Sequence, residues 1–300
     1  MINPKVKVAV VGKGAIGSLI AYSCQQQKLD FQLLLKNNNT ITLDVEKIDG
    51  EKIRVYPSSS DINDAADFDI VVFPIKAYQV LGALQQLSQS VRPKHTLVLL
   101  HNGMGTIEQV KALYPNNPIV AATTSYGAFK PTDTNVKETG LGKTHLGWVS
   151  KCRNNAILIE STISKLLPPS TWHQDIQLAL WKKLAINAVI NPLTAINNIT
   201  NGELVNIKFH KLIHTICSEV SQVMTSVGYP TNSDTLQQSV LRVIEATANN
   251  YSSMHQDITF KRQSEIEFIN GYVIKKGREL NIPVPENQLL FNKIKELEKI

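Results

Sequence analysis

The sequence predicts an α/β protein in two halves, the first a largely parallel sheet with helices and the second mostly helical. Three observations lead there. An apolar, β-branched run from Val6 to Val11 ends at Gly12 and gives way to a helical stretch; short strand-like runs recur as far as Pro168 and Pro169; beyond them helical periodicity takes over. Three hundred residues exceed the usual size of one domain. The proline pair therefore divides the prediction into a domain over 1–168 and another over 169–300, with a substrate cleft between them.

The first strand and helix are joined by "GKGAIG", which gives Gly12, Gly14 and Gly17 the GxGxxG spacing. In a Rossmann-type dinucleotide-binding domain the first glycine permits the tight turn, the second lets the backbone approach a pyrophosphate, and the third lets helix pack closely on strand. The helix start, Ala15 and Ile16, then offers free N–H groups and a positive dipole end to phosphates. A second strand, "FQLLLK", ends at Lys36 and is followed by Asn37, Asn38 and Asn39, where an NAD site usually places an acidic residue. A cation and neutral amides there suit a 2′-phosphate, and Asp30 lies at the opposite end of the strand. NADP is the dinucleotide this predicts, with a solvated loop lysine as the alternative reading of Lys36.

"ITLDVEKIDGEKIRV" reads as a hairpin turning at Asp49-Gly50. "DIVVFPIK" and "TLVLLHNGMG" are strands that leave Lys76 and Asn102 at their carboxyl ends, where ligands of open α/β sheets bind. Both become candidates for the nicotinamide half of a dinucleotide, although asparagine after a strand is also a routine turn former. "PIVAATTSYGAF" and the hairpin-like "NVKETGLGKTHLGWV" extend the sheet.

In the second half, Asp175 to Ile190, Gly202 to Val227, Asp234 to Asn249 and Gln263 to Leu280 are predicted helices, with Pro192 bending or ending the first. That first helix carries Lys183, Asn187 and Asn191 four residues apart on an otherwise apolar surface. A lone lysine there would snorkel to solvent. Two amides in line with it need hydrogen-bond partners, and leaving them unpaired costs about 1–3 kcal/mol per group. An oxygen-rich ligand supplies those partners. A carbonyl accepting hydride becomes an alkoxide, and one ammonium group offers it both a proton and a positive field, so Lys183 is the predicted general acid.

Composition narrows the alternatives. Charged residues make up 19% and apolar residues 43%, enough for a full core without a long disordered region. Cys24, Cys152 and Cys217 are widely spaced, which argues against a disulfide framework or a zinc site and for a reducing compartment. No apolar run is long enough to span a bilayer, and the early strand leaves no room for a signal peptide, so a cytoplasmic protein is expected. The net charge of +6 is spread over scattered lysines rather than a basic stripe, which disfavours nucleic acid and fits anionic small molecules. His210 and His214 lack the glutamate of HExxH, no GxSxG is present, and neither metal nor hydrolytic chemistry is predicted.

"GKGAIG", Ile75-Lys76, "HNGMGT", "LWKKLAINAVINPLTA", "NGEL", "SSMHQDI" and "EIEFINGYVI" stand in the order and at the spacing of one family. Nearly end to end, the chain resembles the ketopantoate reductases, NADPH-dependent 2-dehydropantoate 2-reductases of pantothenate synthesis. The resemblance implies a Rossmann domain followed by a helical domain like the C-terminal part of 6-phosphogluconate dehydrogenase. A monomer or homodimer is expected. The resemblance also implies Lys183 as catalytic lysine and Glu265 as the acidic residue supporting it. Asn187, Asn191, Asn201 and Ser253 match substrate-binding positions, and Asn102, Lys76 and Glu265 match positions near nicotinamide or substrate. Gly12, Gly14 and Gly17 match directly, with Lys13 in a variable slot. Lys36 stands where members often have arginine, and a lysine makes a point-charge contact instead of a planar fork. A related reductase of another 2-keto acid and a non-catalytic NADP-sensing regulator are the competing readings.

Overall fold

The computed structural model describes residues 5–36, 41–150 and 155–299. The chain forms two compact units, one comprising residues up to His101 together with Thr106–Ile176, the other Asn102–Gly105 together with Gln177–Ile300.

The first unit contains strands β1 Lys7–Val11, β2 Asp30–Leu35, β3 Leu43–Glu46, β4 Lys52–Val55, β5 Ser58–Asp61, β6 Ile70–Phe73, β7 Thr96–Leu100, β8 Ile119–Thr124, β9 Gly127–Phe129, β10 Asn135–Gly140, β11 Thr144–Ser150 and β12 Ser170–Trp172. Its helices are α1 Ala15–Gln26, α2 Ala77–Gln86, α3 Thr106–Leu113 and α4 Ala156–Ser164. The main sheet has the order β12-β11-β8-β7-β6-β1-β2-β5, and only the β8–β11 pairing is antiparallel. The chain leaves β1 for β2 on one side and later returns to β6 on the other, so the sheet reverses direction of travel at β1, above whose carboxyl end Gly12 stands. The central strands are buried on both faces: Val8, Val10, Leu33, Ile70 and Leu97 are fully inaccessible. This is the α/β doubly wound arrangement predicted from the alternating runs.

The Asp49-Gly50 hairpin forms as predicted, with Leu43 opposite Val55 and Glu46 opposite Lys52. The expected pairing within "NVKETGLGKTHLGWV" does not. β10 pairs with β3 and β9 in a separate four-stranded sheet, whereas β11 joins the main sheet beside β8. A glycine-rich connection reads as a hairpin locally, but each strand pairs elsewhere, β10 with β3 and β9 and β11 with β8 and β12. The small sheet covers α1, and Leu43, Val45, Val55 and Val136 share its core with Leu19, Ile20 and Cys24. Cys24 and Cys217 are buried free thiols, both pushed up to about 12 by burial, while Cys152 lies outside the described residues.

The second unit contains α5 Gln177–Asn197, α6 His210–Ser226, α7 Ser233–Ala246, α8 Ser253–Thr259, α9 Asn270–Glu279 and α10 Pro285–Leu297. Helix α5 packs against α6, α7, α8 and α10, which explains apolar residues on nearly every face. Pro192 neither ends nor breaks it. A proline lacks the N–H that would bond the carbonyl four residues back, and the freed Ala188 carbonyl instead accepts from Asn270 Nδ2 at 3.0 Å. Asn270 is wholly buried and also donates to Asn287 Oδ1 at 3.0 Å. Asn287 in turn donates Nδ2 to the buried carboxylate of Glu219 at 2.7 Å, and that carboxylate accepts the Glu286 and Asn287 backbone N–H groups at the start of α10.

Two helices lie outside the four predicted from the sequence. α8 is only seven residues long, and in α10 Pro285 at the first turn and buried Leu290 and Ile294 make a packed amphipathic helix. The predicted 202–227 helix begins only at His210, after two short 3-10 turns. Among the described residues no helix is long and apolar enough to cross a membrane.

Candidate active site

The glycine turn is built around backbone clearance. Gly12 has φ +83°, and a Cβ on Gly17 would come within 2.8 Å of the Gly12 carbonyl, so helix and turn meet only through glycine. A Cβ on Gly14 would meet nothing within 4 Å, and as N-cap of α1 Gly14 offers no side-chain acceptor. The first N–H groups of α1, from Ala15 and Ile16 onward, are therefore left to an external anion, with no acidic side chain in the first turn to compete. These features fit a dinucleotide pyrophosphate. Lys13 Nζ pairs with Asp133 at 2.6 Å, and its carbonyl accepts from Lys130 Nζ at 2.6 Å and from Ser18 Oγ at 3.2 Å. Lys36 is exposed directly after β2; Asn37, Asn38 and Asn39 lie outside the described residues. Lys76, half-buried after β6, caps α2, and the Gln79 side chain accepts its backbone N–H at 3.2 Å.

In the second unit the lysine–asparagine stripe is where the sequence puts it, on α5. Lys183 and Asn187 are half-buried and Asn191 is buried. Burial pushes Lys183 down to about 8, against the opposing influence of the Glu265 carboxylate, which favours the ammonium form. Glu265 is itself buried and accepts from Asn102 Nδ2 at 3.0 Å. Thus three of the predicted residues, from three separate segments, share one locality.

Asn102 is held there by its own loop. Gly103 has φ +82°, and a Cβ on it would run into the Phe268 carbonyl, the same carbonyl that accepts the Met104 N–H at 2.8 Å. The loop lies flat on the short 3-10 turn Ile266–Phe268 that follows Glu265.

Asn201 begins the "NGEL" turn, where its N–H bonds the Asn250 carbonyl and its Nδ2 donates to Thr247 Oγ1 at 2.9 Å. Its Oδ1 is buried with no hydrogen-bond partner among the described residues. An orphaned acceptor of this kind fits a ligand hydroxyl. Ser253 is exposed at the first position of α8, while its neighbour Ser252 is buried, caps α8 through the His255 N–H, and accepts from Thr194 Oγ1 at 2.7 Å beside Asn191. Ser252 and Asn270 were missed by the sequence reading. The S-x-x-H capping pattern was the available signal for the first; for the second there was none, because its partner is a carbonyl freed 82 residues away. His210 and His214 are engaged separately, with the Val205 carbonyl at 2.9 Å and Gln237 Oε1 at 3.0 Å.

Residues 8–151 match the family described as ketopantoate reductase PanE/ApbA, and residues 175–298 match its C-terminal family. The 2-dehydropantoate 2-reductase of Vibrio cholerae is 37% identical over 295 residues, covering 98% of each chain. Among solved structures, a PanE/ApbA family ketopantoate reductase from Ralstonia eutropha superposes with a TM-score of 0.87 at 22% identity, over 98% of this chain and 99% of that one. A D-mandelate dehydrogenase solved with NADH and anilino(oxo)acetate superposes equally, at 0.87 and 22%, over 98% and 99%, which speaks to the fold alone. With both family matches spanning nearly its whole length, the chain belongs to the ketopantoate reductase family.

Proposed function

We propose that the protein reduces 2-dehydropantoate to (R)-pantoate with NADPH, residues 1–168 holding the dinucleotide and 169–300 the keto acid. The reading is carried by one observation: a lysine brought down to about 8 by burial, beside a buried carboxylate, heading an asparagine stripe on an apolar helix. NADPH, when bound, supplies the hydride that reduces C2 of the keto acid. Its pyrophosphate would be held by the N–H groups around Gly12, Lys13, Gly14, Ala15, Ile16 and Gly17, its 2′-phosphate by Lys36, and its nicotinamide end by Lys76, Asn102 and Glu265.

Lys183 protonates the alkoxide oxygen as charge develops there. A pKa near 8 keeps the group mostly charged at neutral pH while leaving the proton easy to surrender. Glu265 holds the ammonium form in place, and Asn102 fixes the Glu265 carboxylate through its amide. Asn187, Asn191, Asn201 and Ser253 bind the carboxylate and hydroxyl of the substrate, with the unpaired Asn201 Oδ1 accepting from a hydroxyl. The protein works in the cytoplasm, as a monomer or homodimer.

The decay of NADPH absorbance with ketopantoate tests this, repeated with NADH and with a panel of 2-keto acids. Turnover is expected to be fastest with NADPH and ketopantoate. Faster turnover of an aryl or unhydroxylated 2-keto acid would replace the substrate, and nucleotide binding without reduction of any keto acid would reduce the protein to a sensor.

A further inference from the structure

We propose that Lys130, supplied by the small sheet, is a phosphate-binding residue of the dinucleotide site, acting on the pyrophosphate and not on the 2′-phosphate. The inference rests on the cofactor reading above and extends it to a residue outside the glycine motif.

Lys130 directly follows β9, in the sheet that packs on α1. Its side chain is only 16% exposed, and its Nζ donates to the Lys13 carbonyl, inside the glycine turn itself. Lys13 and Lys130 together face a single carboxylate, Asp133, which is 83% exposed and lies 2.6 Å from Lys13 and 3.8 Å from Lys130. Two ammonium groups against one solvated carboxylate leave a positive excess at the start of a helix whose first N–H groups have no side-chain cap. A half-buried cation of this kind costs desolvation, and its pKa is lowered first by burial and then by Lys13. A doubly charged pyrophosphate offsets both costs at once. The contact is to the turn that cradles the pyrophosphate, whereas the 2′-phosphate position is marked by Lys36 at the end of the neighbouring strand.

Affinity for NADPH and for NADH, measured without keto acid by nucleotide fluorescence, separates the possibilities. K130M is expected to weaken both dinucleotides alike, by about tenfold or more, as befits a charged hydrogen bond. K130Q keeps a donor for the Lys13 carbonyl while removing the charge, and should show the same loss with an unchanged melting temperature. K130R should stay within about threefold of the unaltered protein. Unchanged affinity in folded K130Q overturns the proposal, and so does a loss confined to NADPH. Failure of the unaltered protein to bind either dinucleotide would instead sink the cofactor reading on which the proposal stands.

Discussion

Lys183 concentrates the chemistry at the residue scale. A general acid contributes on the order of 10²–10⁴-fold, so Lys183→Ala should lose that much turnover while its NADPH affinity, read by fluorescence, stays unchanged. The protonated form is the active one. With a pKa lowered to about 8, turnover should therefore fall as pH rises through about 8, rather than near the ordinary lysine value of 10.5. Glu265 opposes this lowering, and Glu265→Gln should make the ammonium harder to keep and move the falling limb to lower pH. A limb that stays in place in a pH–rate profile of the variant would show that the carboxylate does not hold the proton on Lys183. The lysine and its asparagines were legible because residues four apart share a helix face whatever the fold. The influence of Glu265 was implied only by the family resemblance and by no local pattern, since burial and a neighbouring charge belong to three-dimensional surroundings.

At the scale of elements, α5 is a helix that keeps a proline in its interior because another helix replaces the missing donor. Asn270→Ala removes that donor and leaves the Ala188 carbonyl buried and unpaired, at a cost of about 1–3 kcal/mol. Pro192→Ala restores an N–H to the same carbonyl. In urea denaturation the double variant should therefore recover part of the loss, with a coupling of about 0.5–3 kcal/mol; strict additivity would show that Asn270 serves some other purpose. The 102–105 loop makes a second test. Gly103→Ala adds a Cβ against the Phe268 carbonyl at a positive φ, so the loop must lift and Asn102 must leave Glu265. Turnover should drop markedly, and steady-state kinetics at saturating NADPH would expose it. Sequence patterns showed that α5 is helical and that a turn follows β7; neither pattern says which carbonyl a distant amide will find.

The whole molecule comprises two compact units, and ligand linkage tests the proposed dinucleotide binding at this scale. At a hundred times its dissociation constant NADPH should add about 2.7 kcal/mol to the unfolding free energy of the protein. Lys183→Ala should show the same gain in thermal melts, because that lysine is proposed to act on the keto acid and not to hold the dinucleotide. By itself the sequence determined the glycine turn, the parallel strands about it, the helical second half and the lysine–asparagine stripe, since each depends on spacing over a few residues and on the fixed periods of helix and strand. Only the tertiary structure decided that β10 and β11 part company into different sheets, that a charged C-terminal stretch packs as α10, and that Asn102 meets Glu265 across 163 residues. Such pairings are chosen by burial and hydrogen-bond satisfaction summed over the whole chain, and no local pattern encodes that sum.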